Sequence, residues 1–295
     1  MKILLDLGNS RLKAALLHST PQGLQLTHPF AVAYEHHHSW THWLQHILPN
    51  DSQTPIEAIG ISVATDNQRL HVENSLRSFH CPIHWLDART PNPLIHNAYE
   101  QPAQLGADRW FGALGAFYQF KPHPHQALIY CSLGTATTID TLLPTSAVPQ
   151  LPTPPSSKPW TYLGGLILPG PFLMYQSLDQ HTARLRSEQG KVQDFPTNTR
   201  SAISSGIAAA QIGALAQQIR QAQQYCPNHP VRVVCSGGGW PLIAAAIERL
   251  ITQWPHLYTG PQPQLHYYEY AVLLGLGSAT MPVSTDDTPP PALTR

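Results

Sequence analysis

The sequence predicts an α/β protein of two similar halves, each a mixed sheet flanked by helices. The first observation is local. Residues 2–6 (KILLD) form a short apolar run that reads as a buried strand, and 11–17 (RLKAALL) read as a second. Between them stands a polar glycine turn, DLGNS at 6–10. The second observation is that this unit returns. Residues 127–132 (ALIYCS) are an apolar strand, a turn LGTAT follows, and TIDTLL runs back. A unit that recurs about half a chain later indicates an internal duplication. A third stretch, VRVVCSGGG at 231–239, again runs a strand into glycines.

The other elements follow in order. Residues 57–63 (EAIGISV) read as a strand, a helix is expected around 67–79, and 83–86 (IHWL) suit a short strand. Residues 107–119 (ADRWFGALGAFYQ) carry helical periodicity. The proline-rich stretch 144–159 is read as an extended surface loop between two strands. Residues 162–168 (YLGGLIL) resume as a strand, and PGP at 169–171 opens a helix, since proline suits a helix start. A long helix is expected over 201–225, rich in Ala, Ile and Gln and stopped by Pro227. Its small residues Ser204, Ser205, Gly206, Ala208, Ala209 and Gly213 permit close packing. A further helix follows the glycines at 236–239. The expected division is 1–118 for the first half, 119–280 for the second, and a disordered tail over 281–295.

Composition excludes several functions. The 295 residues hold 17 basic and 17 acidic side chains, so no basic face marks a nucleic-acid binder. No apolar run is long enough to span a bilayer. Asp6 interrupts the apolar N-terminus and no small-residue cleavage site follows, so a cytoplasmic protein is expected. Cysteines 81, 131, 226 and 235 make no CxxC pair and are read as buried reduced thiols. Among 17 histidines, His38, His42 and His46 share one helical face. That face can bind a transition metal or simply meet water, and no carboxylate completes a ligand set.

The glycine turns carry the chemistry. Glycine lets a ligand approach the backbone, and successive exposed N–H groups form an anion-binding nest. Ser10, Thr135 and Thr137 add hydroxyls, and Lys13 adds a point charge beside the first turn. Asp6 suits a hydrated magnesium ion. One such turn alone is an ordinary hairpin, but three together point to phosphate. Neither GxxxxGK[ST] nor a helix-opening GxGxxG occurs, which argues against P-loop and dinucleotide enzymes.

These residues resemble those of the type III pantothenate kinases, members of the actin/hexokinase/Hsp70-like superfamily. The family includes a subgroup described as an accessory factor for virulence-gene expression. DLGNSRLK at 6–13 resembles the family's first phosphate motif, and SLGTATTID at 132–140 its second. LGADRW at 105–110, GGLILPG at 164–170 and NTRSAISSG at 198–206 resemble further family segments, in the same order. The resemblance covers residue 2 to about 277. It implies two actin/ribonuclease-H-like halves and ATP-dependent phosphorylation of pantothenate, the first step towards coenzyme A. It also implies a homodimer with the active site near the subunit boundary.

By the same resemblance, Asp6, Leu7, Gly8, Asn9, Ser10, Arg11, Leu12 and Lys13 form the first phosphate turn, with Asp6 towards Mg²⁺ through water. Thr135 is an ATP contact and Asp108 the general base. Tyr99, Gly106, Ala107, Asp108 and Arg109 bind pantothenate, and Thr199 reaches the substrate from the partner subunit. One position departs from the pattern. An aspartate that helps bind K⁺ or NH₄⁺ is replaced by Ser132, a poorer ligand. A non-catalytic accessory protein that keeps the nucleotide fold, and a related kinase acting on another hydroxyl compound, stay open beside the pantothenate kinase.

Overall fold

The hairpin expected at the N-terminus forms from β1 (Lys2–Leu7) and β2 (Arg11–Thr20), which pair antiparallel from Lys2↔Leu17 to Leu7↔Leu12. The computed structural model describes residues 1–20, 23–48, 56–148, 157–181, 189–253 and 260–280. β3 (Gly23–Ala33) continues the antiparallel ladder, while β4 (Glu57–Ser62) and β5 (Ile83–Trp85) add parallel to β1. The order is β3-β2-β1-β4-β5. Helices α1 (His37–Ile47) and α2 (Asp66–Ser78) supply the crossovers, α2 starting at a Thr65–Gln68 capping box.

The second sheet repeats this plan. β7 (Leu128–Leu133), β8 (Ala136–Pro144) and β9 (Trp160–Pro169) form an antiparallel meander. β10 (Arg232–Ser236) and β11 (Gln264–Tyr267) extend it parallel to β7. Its order is β11-β10-β7-β8-β9-β6, the order of the first sheet plus one edge strand, β6 (Ile95–Asn97). The duplication read from the two turns is therefore present in strand order and direction.

Alternation along the central strands explains the layers. Ile3 and Leu5 of β1 pack with Trp40 and Leu44 of α1 and with Val72 and Leu76 of α2. Leu4 faces the other way, into a cluster with Trp110, Phe111, Leu273 and Leu276. These belong to α3 (Ala107–Phe120) and α7 (Ala271–Ser278). In β7, Leu128 and Tyr130 join that same middle cluster. Ile129, Cys131 and Leu133 pack instead against α5 (Thr199–Tyr225) and α6 (Trp240–Gln253). One apolar layer, α3 with α7, thus lies between the two sheets. A strand buried on both faces reads as a continuous apolar run, which is how β1 and β7 look in the sequence.

α3 and α7 touch backbone to backbone. A Cβ on Gly115 would lie 1.7 Å from the Ala271 carbonyl oxygen, and one on Gly275 would lie 1.9 Å from that of Phe111. Neither position has room for any side chain.

Most expected elements are present within a residue or two, including α4 (Pro171–His181) opened by the PGP turn. The four cysteines are free and buried. β3, β6, β11 and α7 were not anticipated. The apolar run AVLLGLGS of α7 carries no periodicity that separates helix from strand. Close packing along α5 holds for Ser204 and Ala208, which are buried. It does not hold for Gly206 and Gly213, whose Cβ positions meet nothing within 4 Å. The expected tail at 281–295 and residues 149–156 of the proline-rich stretch lie outside the described residues.

Gly275→Ala should destabilise the protein by about 2–3 kcal/mol through overpacking of the α3–α7 contact. Urea denaturation followed by circular dichroism measures it.

Candidate active site

The two homologous hairpin turns face each other across the cleft between the sheets. The first closes with the Gly8 N–H on the Arg11 carbonyl at 3.0 Å, the second with the Gly134 N–H on the Ala136 carbonyl at 3.0 Å. Ser10 Oγ and Thr135 Oγ1 meet at 2.9 Å, joining residues 125 apart in sequence. The third glycine turn completes the wall. Gly237 adopts φ 97°, and the Gly239 N–H donates to the Leu133 carbonyl at 2.8 Å. The Gly170 N–H donates to the Thr135 carbonyl at 2.9 Å, so the GGLILPG segment buttresses the second turn.

Within the first turn the roles divide by burial. Leu7 and Leu12 point into the outer core beside Trp40, leaving only their backbone for a ligand. Asn9, Ser10 and Arg11 are exposed. Lys13, opposite Asp6 in the ladder, donates from Nζ to the Glu269 carbonyl at 3.3 Å, just before α7.

Asp6 is buried, and its Oδ1 has no hydrogen-bond partner. Burial pushes its carboxyl up to about 6; Lys13 opposes that shift and Asp108 adds to it. Asp108 thus lies within electrostatic reach of Asp6. Asp108 lies in the first turn of α3, N-capped by Gly106 and begun by Ala107. Its own carboxyl is raised, chiefly by burial and further by Asp140, while the Arg109 N–H holds Oδ1 at 2.9 Å. A buried anion without a partner is costly unless a cation joins it. The free Asp6 oxygen therefore fits a Mg²⁺ ion or its water shell.

Arg109 is nearly buried and Asp140 fully so. Nη2 of the guanidinium donates to Asp140 Oδ1 at 2.5 Å and Nε reaches both carboxylate oxygens at 3.2 Å. Tyr162 adds a 2.7 Å hydrogen bond to the same carboxylate. The remaining edge, Nη1, points to the Tyr99 hydroxyl at 3.4 Å. The guanidinium fork expected for substrate is thus largely taken by Asp140, and the Tyr99 edge is what remains.

The structure gathers Asp6, Ser10, Lys13 and Thr135 at one cleft, with Asp108, Arg109 and Tyr99 on its α3 side. Thr199 is not part of this group. It is exposed in the first turn of α5, N-capped by Asn198. Sequence reasoning gave no role to Asp140, Tyr162 or Tyr130. A lone acid inside the apolar strand TIDTLL was a readable signal for Asp140, but its arginine partner stands 31 residues earlier.

Paired glycine hairpins that meet beside the unpartnered Asp6 carboxylate suit a phosphate-handling enzyme of the two-sheet α/β class. The chain belongs to the type III pantothenate kinase family, whose model matches residues 2–221. Relatives named type III pantothenate kinase include those of Bordetella petrii and Bordetella pertussis. The first is 38% identical over 280 residues, covering 94% of this chain and 96% of that protein. The second is 37% identical over 279 residues, covering 94% and 97%. A solved structure, described as a conserved putative Baf family transcriptional activator from Campylobacter jejuni, shares the fold with a TM-score of 0.51 and 18% identity. It covers 94% of this chain and 96% of that one.

Two predictions concern this site. The folded protein holds the Asp6 proton to about pH 6, the unfolded chain only to about 3.8. Ionising Asp6 therefore opposes folding; the cost is absent below pH 3.8 and grows as the pH rises to 6. Without metal or nucleotide, Asp6→Asn should be about 1–2 kcal/mol more stable than wild type in alkaline buffer, the gap closing as the lower pH limit is approached. Urea titrations across that range measure it. Asp140→Ala, which leaves Arg109 buried and unpaired, should cost about 3–5 kcal/mol in the same assay.

Proposed function

We propose that this protein transfers the γ-phosphoryl group of ATP to the primary hydroxyl of pantothenate, opening the route to coenzyme A. The observation that carries the reading is the meeting of the two glycine turns, Ser10 Oγ to Thr135 Oγ1 at 2.9 Å, above the unpartnered Asp6 carboxylate. Family membership and relatives bearing that enzyme's name over nearly the whole chain support it.

Phosphoryl transfer depends on positioning and charge neutralisation more than on covalent chemistry. The backbone N–H groups of the first turn and the hydroxyls of Ser10 and Thr135 hold the ATP phosphates, and Lys13 adds positive charge. Asp6 would hold Mg²⁺, and the ion would supply positive charge to neutralise the phosphates. Asp108 accepts the hydroxyl proton as that oxygen attacks the γ-phosphorus, and burial makes its carboxylate a stronger base than a free aspartate. Tyr99, Gly106, Ala107 and the Nη1 edge of Arg109 bind pantothenate.

We further propose a homodimer in the cytoplasm. Ile167, Phe172, Leu173, Leu178 and Phe195 are exposed, Phe195 to 92%, around β9, α4 and the segment before α5. A second copy would cover this face, and Thr199 at the adjoining start of α5 would then reach the partner's pantothenate. Among the described residues no helix is long and apolar enough to cross a membrane.

Purified protein should release ADP only when ATP, Mg²⁺ and pantothenate are all present. Asp108→Asn should lower kcat by at least about 100-fold with little change in the KM for ATP. Release that ignores pantothenate, or survives the substitution, would overturn the reading. Phe172→Asp should convert a dimer to a monomer in size-exclusion chromatography and raise the KM for pantothenate.

A further inference from the structure

The family pattern places a monovalent cation at the start of the second phosphate turn, and the residues found there do not fit one. Ser132 replaces the carboxylate. Its partners across the sheet are Ser236 on β10 and Thr138 on β8. Tyr130, two residues earlier on β7, shares the same face and is 1% exposed. Its ring lies across Gly112 of α3. A Cβ on Gly112 would stand 2.3 Å from the ring and 2.7 Å from the hydroxyl oxygen. Gly112 is one helical turn beyond Asp108, so the phenol sits between the second phosphate turn and the helix that carries the base.

The hydroxyls of Ser236 and Ser132 lie near the Tyr130 phenol, and both ease its ionisation against the larger effect of burial. Ser236 donates onward to the Glu269 carbonyl at 3.2 Å, the same oxygen that accepts from Lys13. Burial, with Asp6 and Asp108 nearby, holds the phenol firmly protonated. None of these three hydroxyls is among the buried atoms lacking a partner, whereas Asp6 Oδ1 is. The orphans on the neighbouring strand, Thr137 Oγ1 and Thr138 Oγ1, are both neutral. A potassium ion here would exchange its hydration for uncharged hydroxyl oxygens, with no carboxylate among Ser132, Ser236 and Thr138 and with Lys13 close by.

We propose that Tyr130, admitted by Gly112, takes the place of the monovalent cation. With Ser132 and Ser236 its hydroxyl positions the second phosphate turn against α3, so phosphoryl transfer proceeds without K⁺ or NH₄⁺. The glycine and the tyrosine belong together, since any side chain at 112 would displace the ring. Tyr130 acts as a positioning residue, through the turn and the helix. The inference rests on the kinase reading of the same site.

The test compares wild type, Tyr130→Phe and the double variant Tyr130→Phe/Ser132→Asp in Na⁺, K⁺ and NH₄⁺ at fixed ionic strength. Pantothenate-dependent ADP release and melting temperature are read in each salt. Wild-type kcat should differ by less than about twofold between Na⁺ and K⁺. Tyr130→Phe should lose about tenfold in kcat in every salt, with the KM for pantothenate nearly unchanged. The double variant, with a carboxylate and no competing hydroxyl, should regain activity in K⁺ alone and melt higher in K⁺ than in Na⁺. Activation of wild type by K⁺ of about tenfold or more, or an unchanged kcat in Tyr130→Phe, would overturn the proposal. If no protein turns over in any salt, the kinase reading fails. The melting curves then decide this inference alone: a K⁺-specific rise in wild type overturns it, and a rise confined to the double variant supports it.

Discussion

The buried ion pair between Arg109 and Asp140 is the constraint on which the cleft depends. It joins the first turn of α3 to the second strand of the C-terminal sheet, in a place nearly free of solvent. Two buried charges are tolerable only when geometry and further hydrogen bonds satisfy them. Tyr162 and Tyr99 supply those bonds. Because Asp108 is the adjacent residue, the pair also sets where the Asp108 carboxylate stands. The middle of the same helix is pinned by its glycine contact with α7. A carboxylate on a helix held at its start and middle needs little ordering when a ligand arrives.

Asp6 presents the opposite case. Its carboxylate is buried, shifted upward, and short of a partner on one oxygen. Such a residue weakens the ligand-free protein. Titratable groups perturbed by burial and by a neighbouring charge gather at functional clefts. The cost is borne where a cation and phosphate would relieve it. The contrast between a fully satisfied Asp140 and a deprived Asp6 separates the acid that builds the site from the acid that serves it.

Duplication explains why the phosphate turns meet. The two sheets share strand order and direction, so each central hairpin ends at the same place in its own half. Packing both halves on one α3–α7 layer turns those ends towards each other. Ser10 and Thr135 then come into hydrogen-bonding contact. A cleft with matched donors on both walls follows from that arrangement. The asymmetry lies elsewhere: among the described residues, β6 extends only the second sheet.

Local features were legible in the residues themselves. Apolar runs marked the central strands, glycines with flanking hydroxyls marked the turns, and the duplicated strand–turn–strand unit marked the two-half fold. Each of these depends on neighbours a few positions away. The LGADRW segment likewise announced Asp108 and Arg109, but not what Arg109 would hold. α7 stayed hidden because an all-apolar run buried in the middle layer has no period to read. β6 and β11 are too short to leave a pattern. Tertiary structure alone decided that Arg109 pairs with Asp140, that Gly112 makes room for Tyr130, and that Asp6 is left wanting an oxygen partner. Those outcomes rest on pairings between distant segments, where register and packing choose the partner and no local signal names it.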